Sequence, residues 1–115
     1  SNISGGEAQR IKLASFITKG DNKNKILFIF DEPTTGLHFH DINYLIKSLF
    51  LLIENGHSVI IVEHNLDMIK CADYIIDLGP NAGIDGGKLI ASGTPEEVVK
   101  FKNSHTAKFL KEKLI

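Results

Sequence analysis

The chain has 115 residues, of which 13 are Lys or Arg and 14 are Asp or Glu, so its formal net charge is −1. This length allows one domain at most, and a domain of this size buries roughly two-thirds of the surface that its unfolded chain exposes. A net charge so close to zero provides no overall attraction to nucleic acid. The hydrophobic fraction of 43% is typical of a folded chain and argues against disorder.

The apolar runs and the cysteine count exclude further classes of protein. The two longest apolar runs, 26–30 and 49–53, have five residues each, whereas a helix that spans a membrane needs about 20. The first residues do not combine a basic segment with an apolar one, so we expect no secretion signal. The single cysteine, Cys71, excludes an internal disulfide and a Cys-rich zinc site and fits a reducing cytoplasm.

Hydrophobic periodicity, capping residues and turn residues predict a mixture of helices and strands. In chain order we expect a helix that ends near Thr18, a strand at 26–30, a helix at 39–54, a strand at 58–62, a helix at 66–71, strands at 74–78 and 88–92, and helices at 95–101 and 104–113. The continuous apolar runs at 26–30 and 58–62 are typical of strands buried on both faces. The order strand, helix, strand predicts a βαβ unit, an α/β fold class and a largely parallel sheet.

Polar residues follow the first two predicted strands, at the sheet edge where ligands bind in parallel sheets. Asp31 and Glu32 follow the first strand, so one carboxylate could hold Mg²⁺ through water beside a phosphate while the other polarises an attacking water. The alternative is a solvated strand end that leads into a turn at Pro33. His64 follows the second strand, where it could donate to a phosphate or serve only as a structural or solvated histidine.

Two glycine-containing segments resemble phosphate-binding elements. Ser4, Gly5, Gly6 and Glu7 precede the first predicted helix, where backbone N–H groups and the helix dipole favour an anion, although a helix cap explains the same residues. The segment 79–87 holds four of the ten glycines. A strand rather than a helix follows it, so we interpret it as a turn between strands. The lysine-rich stretch 100–113 indicates a solvated helix face or a weak contact with a phosphate backbone.

The order of these motifs resembles that of the ABC ATPases. The stretch 4–10 looks like the signature motif, the strand into Asp31 and Glu32 like Walker B, 34–38 like the D-loop and His64 like the switch histidine. Within that superfamily the chain resembles the UvrA family, the ATPase and damage-recognition subunits of the bacterial UvrABC excinuclease. The stretches that carry this closer resemblance are 3–14, 31–38, 62–67, 76–80 and 91–97.

The resemblance implies an α/β fold of the three-layer, ABC-type P-loop NTPase kind with a mainly parallel sheet. Residues 1–115 would form the C-terminal part of a nucleotide-binding domain, from the signature motif to the C-terminal helices. The implied activity is Mg²⁺-dependent ATP hydrolysis, in which Asp31 holds Mg²⁺ through water, Glu32 is the general base and His64 contacts the γ-phosphate. The residues implied to contact the ATP of an opposing domain are Ser4, Gly5, Gly6 and Glu7.

The resemblance also implies partners and missing parts. Hydrolysis would control the loading of UvrB on damaged double-stranded DNA, in a cytoplasmic self-dimer with no membrane partner. No Walker A motif, G-x-x-x-x-G-K-[ST], occurs in this sequence, so we expect Walker A and zinc-binding modules upstream and an inactive isolated chain. The family's Walker A strand lies between 58–62 and 74–78. We therefore predict that strand 74–78 shifts to close this slot, or that a second copy pairs there.

Two alternatives use the same residues. An ABC transporter nucleotide-binding domain has the same motifs, although 34–38 and 77–80 are more similar to UvrA. A non-catalytic interaction module would only dimerise or dock. ATP binding by the isolated chain, which we expect to be absent or very weak, tests that second alternative.

Overall fold

A computed structural model of the chain describes residues 13, 24–79 and 87–114. In that part of the chain the elements are β1 (Leu27–Asp31), α1 (Phe39–Glu54), β2 (Ser58–Val62), α2 (Leu66–Ile69), β3 (Ile75–Gly79), β4 (Lys88–Gly93), α3 (Pro95–Val98) and α4 (His105–Lys113). The helix predicted before Thr18 lies outside the described residues, apart from Leu13, which is helical and buried. None of the helices described is long and apolar enough to cross a bilayer.

The chain divides into two compact units, residues 1–64 and 65–115. The first unit contains the predicted βαβ arrangement, because β1 and β2 are parallel and α1 connects them. Their register runs from Leu27 opposite Ser58 to Asp31 opposite Val62. The carboxyl ends of both strands therefore lie at the same edge of this small sheet.

Helix α1 has the predicted bounds because its apolar stripe and the residues at its two ends indicate the same first and last positions. Its buried side chains are Ile42, Leu45, Leu49 and Leu52, which recur at helical spacing. At its start, the backbone N–H of His38 donates to the Asp41 carboxylate at 3.4 Å. At its end, Gly56 has φ +90°, a conformation that favours glycine, and its N–H donates to the carbonyl of Ile53 at 2.9 Å.

His57 joins the end of α1 to the beginning of β1. Its side chain is only 4% exposed, its Nδ1 accepts from the Ile26 N–H at 3.1 Å, and its ring meets the Phe28 ring edge-on at 5.6 Å between centroids. The sequence indicated no role for this histidine. The structure makes it part of the core of the first unit.

The prediction that β1 and β2 are buried on both faces is wrong. Leu27, Ile29, Ile60 and Val62 are 50–65% exposed, and they lie on one face because parallel partners and alternate residues share a face. We call these four residues the exposed sheet face. Phe30, which points the other way, is 5% exposed. In the described part of the chain, α1 packs against β2. An apolar run by itself does not show which faces of its strand are covered.

The prediction that strand 74–78 shifts to fill the slot beside β2 is also wrong. This strand, observed as β3, pairs with β4 in an antiparallel hairpin that runs from Ile75 opposite Gly93 to Gly79 opposite Lys88. The mainly parallel sheet that we expected is therefore found only in the first unit. A short connection between consecutive strands favours antiparallel pairing, because it closes a smaller loop than a distant partner would.

Pairing of β2 with a second copy stays a prediction. We expect the 115-residue chain, produced alone, to self-associate as its concentration rises, because the exposed sheet face is apolar and, among the described strands, β2 has a single partner. Ile60→Lys should shift the population toward monomer, whereas Tyr44→Lys, at a 75% exposed position on α1, should not. Light scattering coupled to size-exclusion chromatography measures both. A chain that stays monomeric at every concentration would contradict the prediction.

The second unit has its own core beside the β3–β4 hairpin. The buried members of that core are Ile75, Ala91, Val98, Ala107 and Leu110. Helix α3 begins with the predicted capping box, in which Thr94 Oγ1 accepts from the Glu97 N–H at 3.2 Å and Glu97 Oε1 accepts from the Thr94 N–H at 3.1 Å. The pKa of Glu97 lies below its usual range because its carboxylate accepts from Thr94, first from the backbone N–H and then from the hydroxyl.

Asp77, from the family-like stretch 76–80, ties β3 to the start of α4. Ser104, which is 4% exposed, donates from Oγ to Asp77 Oδ2 at 2.5 Å and accepts from the Ala107 N–H at 2.9 Å. Thr106 Oγ1 makes a longer bond of 3.5 Å to Asp77 Oδ1. This carboxylate thus orients the residue that caps α4, which is a structural role.

Candidate functional site

The candidate site lies at the carboxyl ends of the two parallel strands. Asp31 ends β1, Val62 ends β2, and Glu32 and His64 follow within two residues. The Glu32 N–H donates to the Val62 carbonyl at 2.8 Å, so the two segments remain paired one residue beyond the strands. Because the strands are in register, the polar residues that follow them are brought to one place.

Glu32 and His64, the two predicted catalytic residues, are in direct contact. Glu32 Oε1 lies 3.1 Å from His64 Nε2, which is hydrogen-bond distance. The Glu32 side chain is 47% exposed and that of His64 is 86% exposed, so both are accessible to a ligand. An exposed pair of this kind adds little to the free energy of unfolding.

The backbone of Glu32 is strained. Its φ is +47°, in the left-handed region, where a residue with a side chain costs roughly 1–2 kcal/mol more than in a right-handed helix. Hydrogen bonds on both sides of the residue hold this conformation. The N–H of Glu32 is bound to Val62, and its carbonyl accepts from the Thr35 N–H at 3.1 Å and from Thr35 Oγ1 at 2.8 Å. Such strain is concentrated at functional sites, where the surroundings over-determine it.

Sequence reasoning missed Glu63, which also contacts this site. Its Oε2 accepts from the Thr34 N–H at 3.2 Å and from Thr34 Oγ1 at 2.8 Å, while its Oε1 accepts from the His64 N–H at 2.9 Å. The only signal in the sequence was its position beside His64. Its other partner is 29 residues away, so no local pattern could have indicated the contact.

Asp31 is exposed at the last position of β1, on the same face as Ile29 and opposite Val62. Mg²⁺ in nucleotide sites is held by one or two carboxylates together with phosphates and water, so Asp31 and Glu32 are suitable donors. Among the described ranges, no cluster of three or more His, Cys, Asp or Glu could hold a metal ion by itself. That Asp31 holds Mg²⁺ through water stays a prediction.

The remaining predicted site residues lie outside the described ranges. They are Ser4, Gly5, Gly6 and Glu7. Their contact with the ATP of an opposing domain stays a prediction. The stretch 34–38 is described: it is a turn in which the Leu37 N–H donates to the Thr34 carbonyl at 3.0 Å and Gly36 has φ +76°. This turn leads from Glu32 directly into α1.

Comparison with known proteins identifies the family. No family model matches the chain. Over 114 residues, 99% of its length, it is 58% identical to UvrABC system protein A of Clostridium perfringens (strain 13 / Type A). The corresponding identities are 54% for Agrobacterium fabrum (strain C58 / ATCC 33970) and 57% for Staphylococcus aureus (strain COL), again over 99% of the chain. The chain belongs to the UvrA family. It spans 12% of the length of each of these UvrA relatives.

A solved UvrA-family structure has the same fold. The chain matches UvrA2 from Deinococcus radiodurans with a TM-score of 0.86 and 44% identity, over 97% of this chain and 14% of that one. The sequence match to the UvrA relatives extends over 114 of the 115 residues, beyond the stretches that carry the motifs. The α/β fold and the family, both predicted from the motifs, are confirmed.

Proposed function

We propose that this chain supplies the water-activating and switch residues of an ATP-hydrolysis site in a UvrA-type ATPase. The observation that carries the proposal is the contact of 3.1 Å between Glu32 and His64 at the common edge of two parallel strands. Phosphoryl transfer needs positioned, charge-matching groups more than covalent chemistry. A carboxylate beside an imidazole, with Asp31 one residue away, offers a proton acceptor, a proton donor and a metal ligand.

In the proposed mechanism Glu32 accepts a proton from the attacking water. Its strained backbone is held by the bonds to Val62 and Thr35, so the carboxylate is oriented before the nucleotide binds. The His64 Nε2 faces a carboxylate oxygen of Glu32, which favours the tautomer that carries a proton on Nε2. This N–H is proposed to turn from Glu32 to the γ-phosphate when nucleotide binds, which leaves the Glu32 carboxylate free to accept the proton of the water. Asp31 would hold Mg²⁺ through water, and the ion would neutralise charge on the phosphates.

The site is proposed to be composite. We propose that residues 1–115 form the C-terminal part of a nucleotide-binding domain. The γ-phosphate of ATP held by the opposing domain is contacted by the segment that contains Ser4, Gly5, Gly6 and Glu7. The turn 34–38 couples the two sites, which fits its position between Glu32 and α1. The triphosphate is bound by a Walker A segment that this sequence does not contain.

In the complete protein, this ATPase is proposed to act in nucleotide excision repair. Its relatives are named as components of the UvrABC system. As the resemblance to the UvrA family implies, ATP turnover is proposed to control the loading of UvrB on damaged double-stranded DNA. Zinc is proposed to be held by other parts of the protein, and the location is proposed to be cytoplasmic. The transporter alternative has no support, because the relatives are UvrA proteins. The isolated chain is proposed to be inactive, and its exposed sheet face favours a docking role for it.

The proposal is tested by comparing ATP binding and hydrolysis by the complete gene product and by the 115-residue chain. We expect Mg²⁺-dependent phosphate release by the complete protein and no measurable ATP binding by the chain alone, since no lysine of a Walker A motif is present. A complete protein that neither binds nor hydrolyses ATP would overturn the proposal. Hydrolysis by the isolated chain would overturn the composite site.

A further inference from the structure

Glu63 is a half-buried carboxylate that the proposed mechanism does not use. Its two oxygens contact two different segments: Oε2 accepts both donors of Thr34, and Oε1 accepts the N–H of His64. Hydrogen bonds to an ionised carboxylate are roughly twice as strong as neutral ones. One side chain thus joins the turn 34–38 to the histidine at the end of β2.

This connection closes a ring of contacts around Glu32. The Glu32 N–H is held by the Val62 carbonyl, its side chain meets His64, and its carbonyl is held by Thr35. Thr34, between these anchors, is held by Glu63. A strained residue keeps its conformation only when several contacts of its neighbours hold it. Glu63 adds one such constraint, because it holds Thr34, which lies between the anchors of Glu32.

We propose that Glu63 is a positioning residue, which fixes the carboxylate of Glu32 relative to His64 and transmits displacements of the turn 34–38 to His64. This inference rests on the proposed function. Glu63 touches neither the nucleotide nor the attacking water in this scheme. It acts through Thr34 on one side and through the backbone of His64 on the other.

The chemistry of the contacts requires a carboxylate. Glu63 accepts from the Thr34 N–H, the Thr34 hydroxyl and the His64 N–H, so both of its oxygens act as acceptors. An amide has one oxygen and one NH₂ group, so Glu63→Gln would place a donor opposite a donor while hardly changing the volume of the side chain. Thr34→Val removes only the hydroxyl, and Thr34→Ser retains it.

The experiment measures steady-state ATP hydrolysis by the complete protein. Glu63→Gln should lower kcat by about 10- to 100-fold, because displacement of reacting groups by about 1 Å has effects of this size, and KM for ATP should hardly change. Thr34→Val should lower kcat less, and Thr34→Ser should restore it. The double variant of Glu63→Gln with Thr34→Val should resemble Glu63→Gln alone, because the two residues act through one contact.

Glu54→Gln is the matched control, since it makes the same change at an exposed position at the far end of α1. If the wild-type protein hydrolyses ATP but Glu63→Gln behaves like Glu54→Gln, the inference is overturned and the proposed function stands. If the wild-type protein has no activity, the proposed function fails and the inference fails with it. If Glu63→Gln does not fold, equal kcat values for Thr34→Val and Thr34→Ser overturn the inference.

Discussion

Replacing Glu32 with glutamine should nearly abolish ATP turnover by the complete protein while leaving ATP binding intact. Glutamine keeps the size of the side chain and still offers an oxygen to His64 Nε2, 3.1 Å away in the native pair. It cannot accept the proton of the attacking water, however. General-base catalysis contributes about 10²- to 10⁴-fold, so we expect kcat to fall by this factor. Phosphate release and equilibrium ATP binding measure the two effects separately.

Glu112→Gln provides the control for this experiment, because it removes an exposed carboxylate on α4, in the other unit. Its turnover should match that of the wild-type protein. Normal turnover in Glu32→Gln would remove Glu32 from the base role. Loss of ATP binding together with turnover would mean that Glu32 holds the nucleotide rather than activating water.

Replacing His64 with alanine should lower kcat by about 100- to 1,000-fold, the range found when one donor to developing transition-state charge is removed. The side chain is 86% exposed, so its loss should leave the thermal midpoint of the protein nearly unchanged. The defect would therefore be one of chemistry rather than of folding. Single-turnover hydrolysis at saturating ATP separates the chemical step from binding.

His105→Ala is a suitable comparison, since His105 is exposed at the first residue of α4. It should hydrolyse ATP at the wild-type rate. Adding His64→Ala to Glu32→Gln should cost little more than Glu32→Gln alone, because residues that act as a unit are not additive. Fully multiplicative losses would show that the two side chains act independently, which their contact argues against.

The sequence predicted the local elements well where periodicity and end residues agree. Helix α1 and strand β2 have the bounds that their apolar patterns and the glycine at Gly56 indicated. The short helices α2 and α3 end at Ile69 and Val98, earlier than predicted, because the next residues form turns. Helix ends fray in this way and are poorly marked in sequence.

The candidate site was only partly predictable. Glu32 and His64 could be named because each follows an apolar strand, and the order of motifs supplied their implied roles. Their distance of 3.1 Å depends on the register of β1 and β2, which no residue near either of them determines. Glu63 was missed because its contact with Thr34 spans 29 positions of the chain.

The sequence alone determined which segments are helix or strand, their order, and the UvrA family to which they belong, since these depend on neighbouring residues and motif spacing. The tertiary structure decided that β3 pairs with β4, that the exposed sheet face is open in this chain and that Glu32 adopts φ +47°. These properties depend on which segments lie against each other and on how many layers cover a strand. Contacts between residues that are distant in sequence determine both the pairing and the covering. An apolar run or a pair of carboxylates has the same sequence whether or not those contacts form, so the sequence pattern does not reveal them.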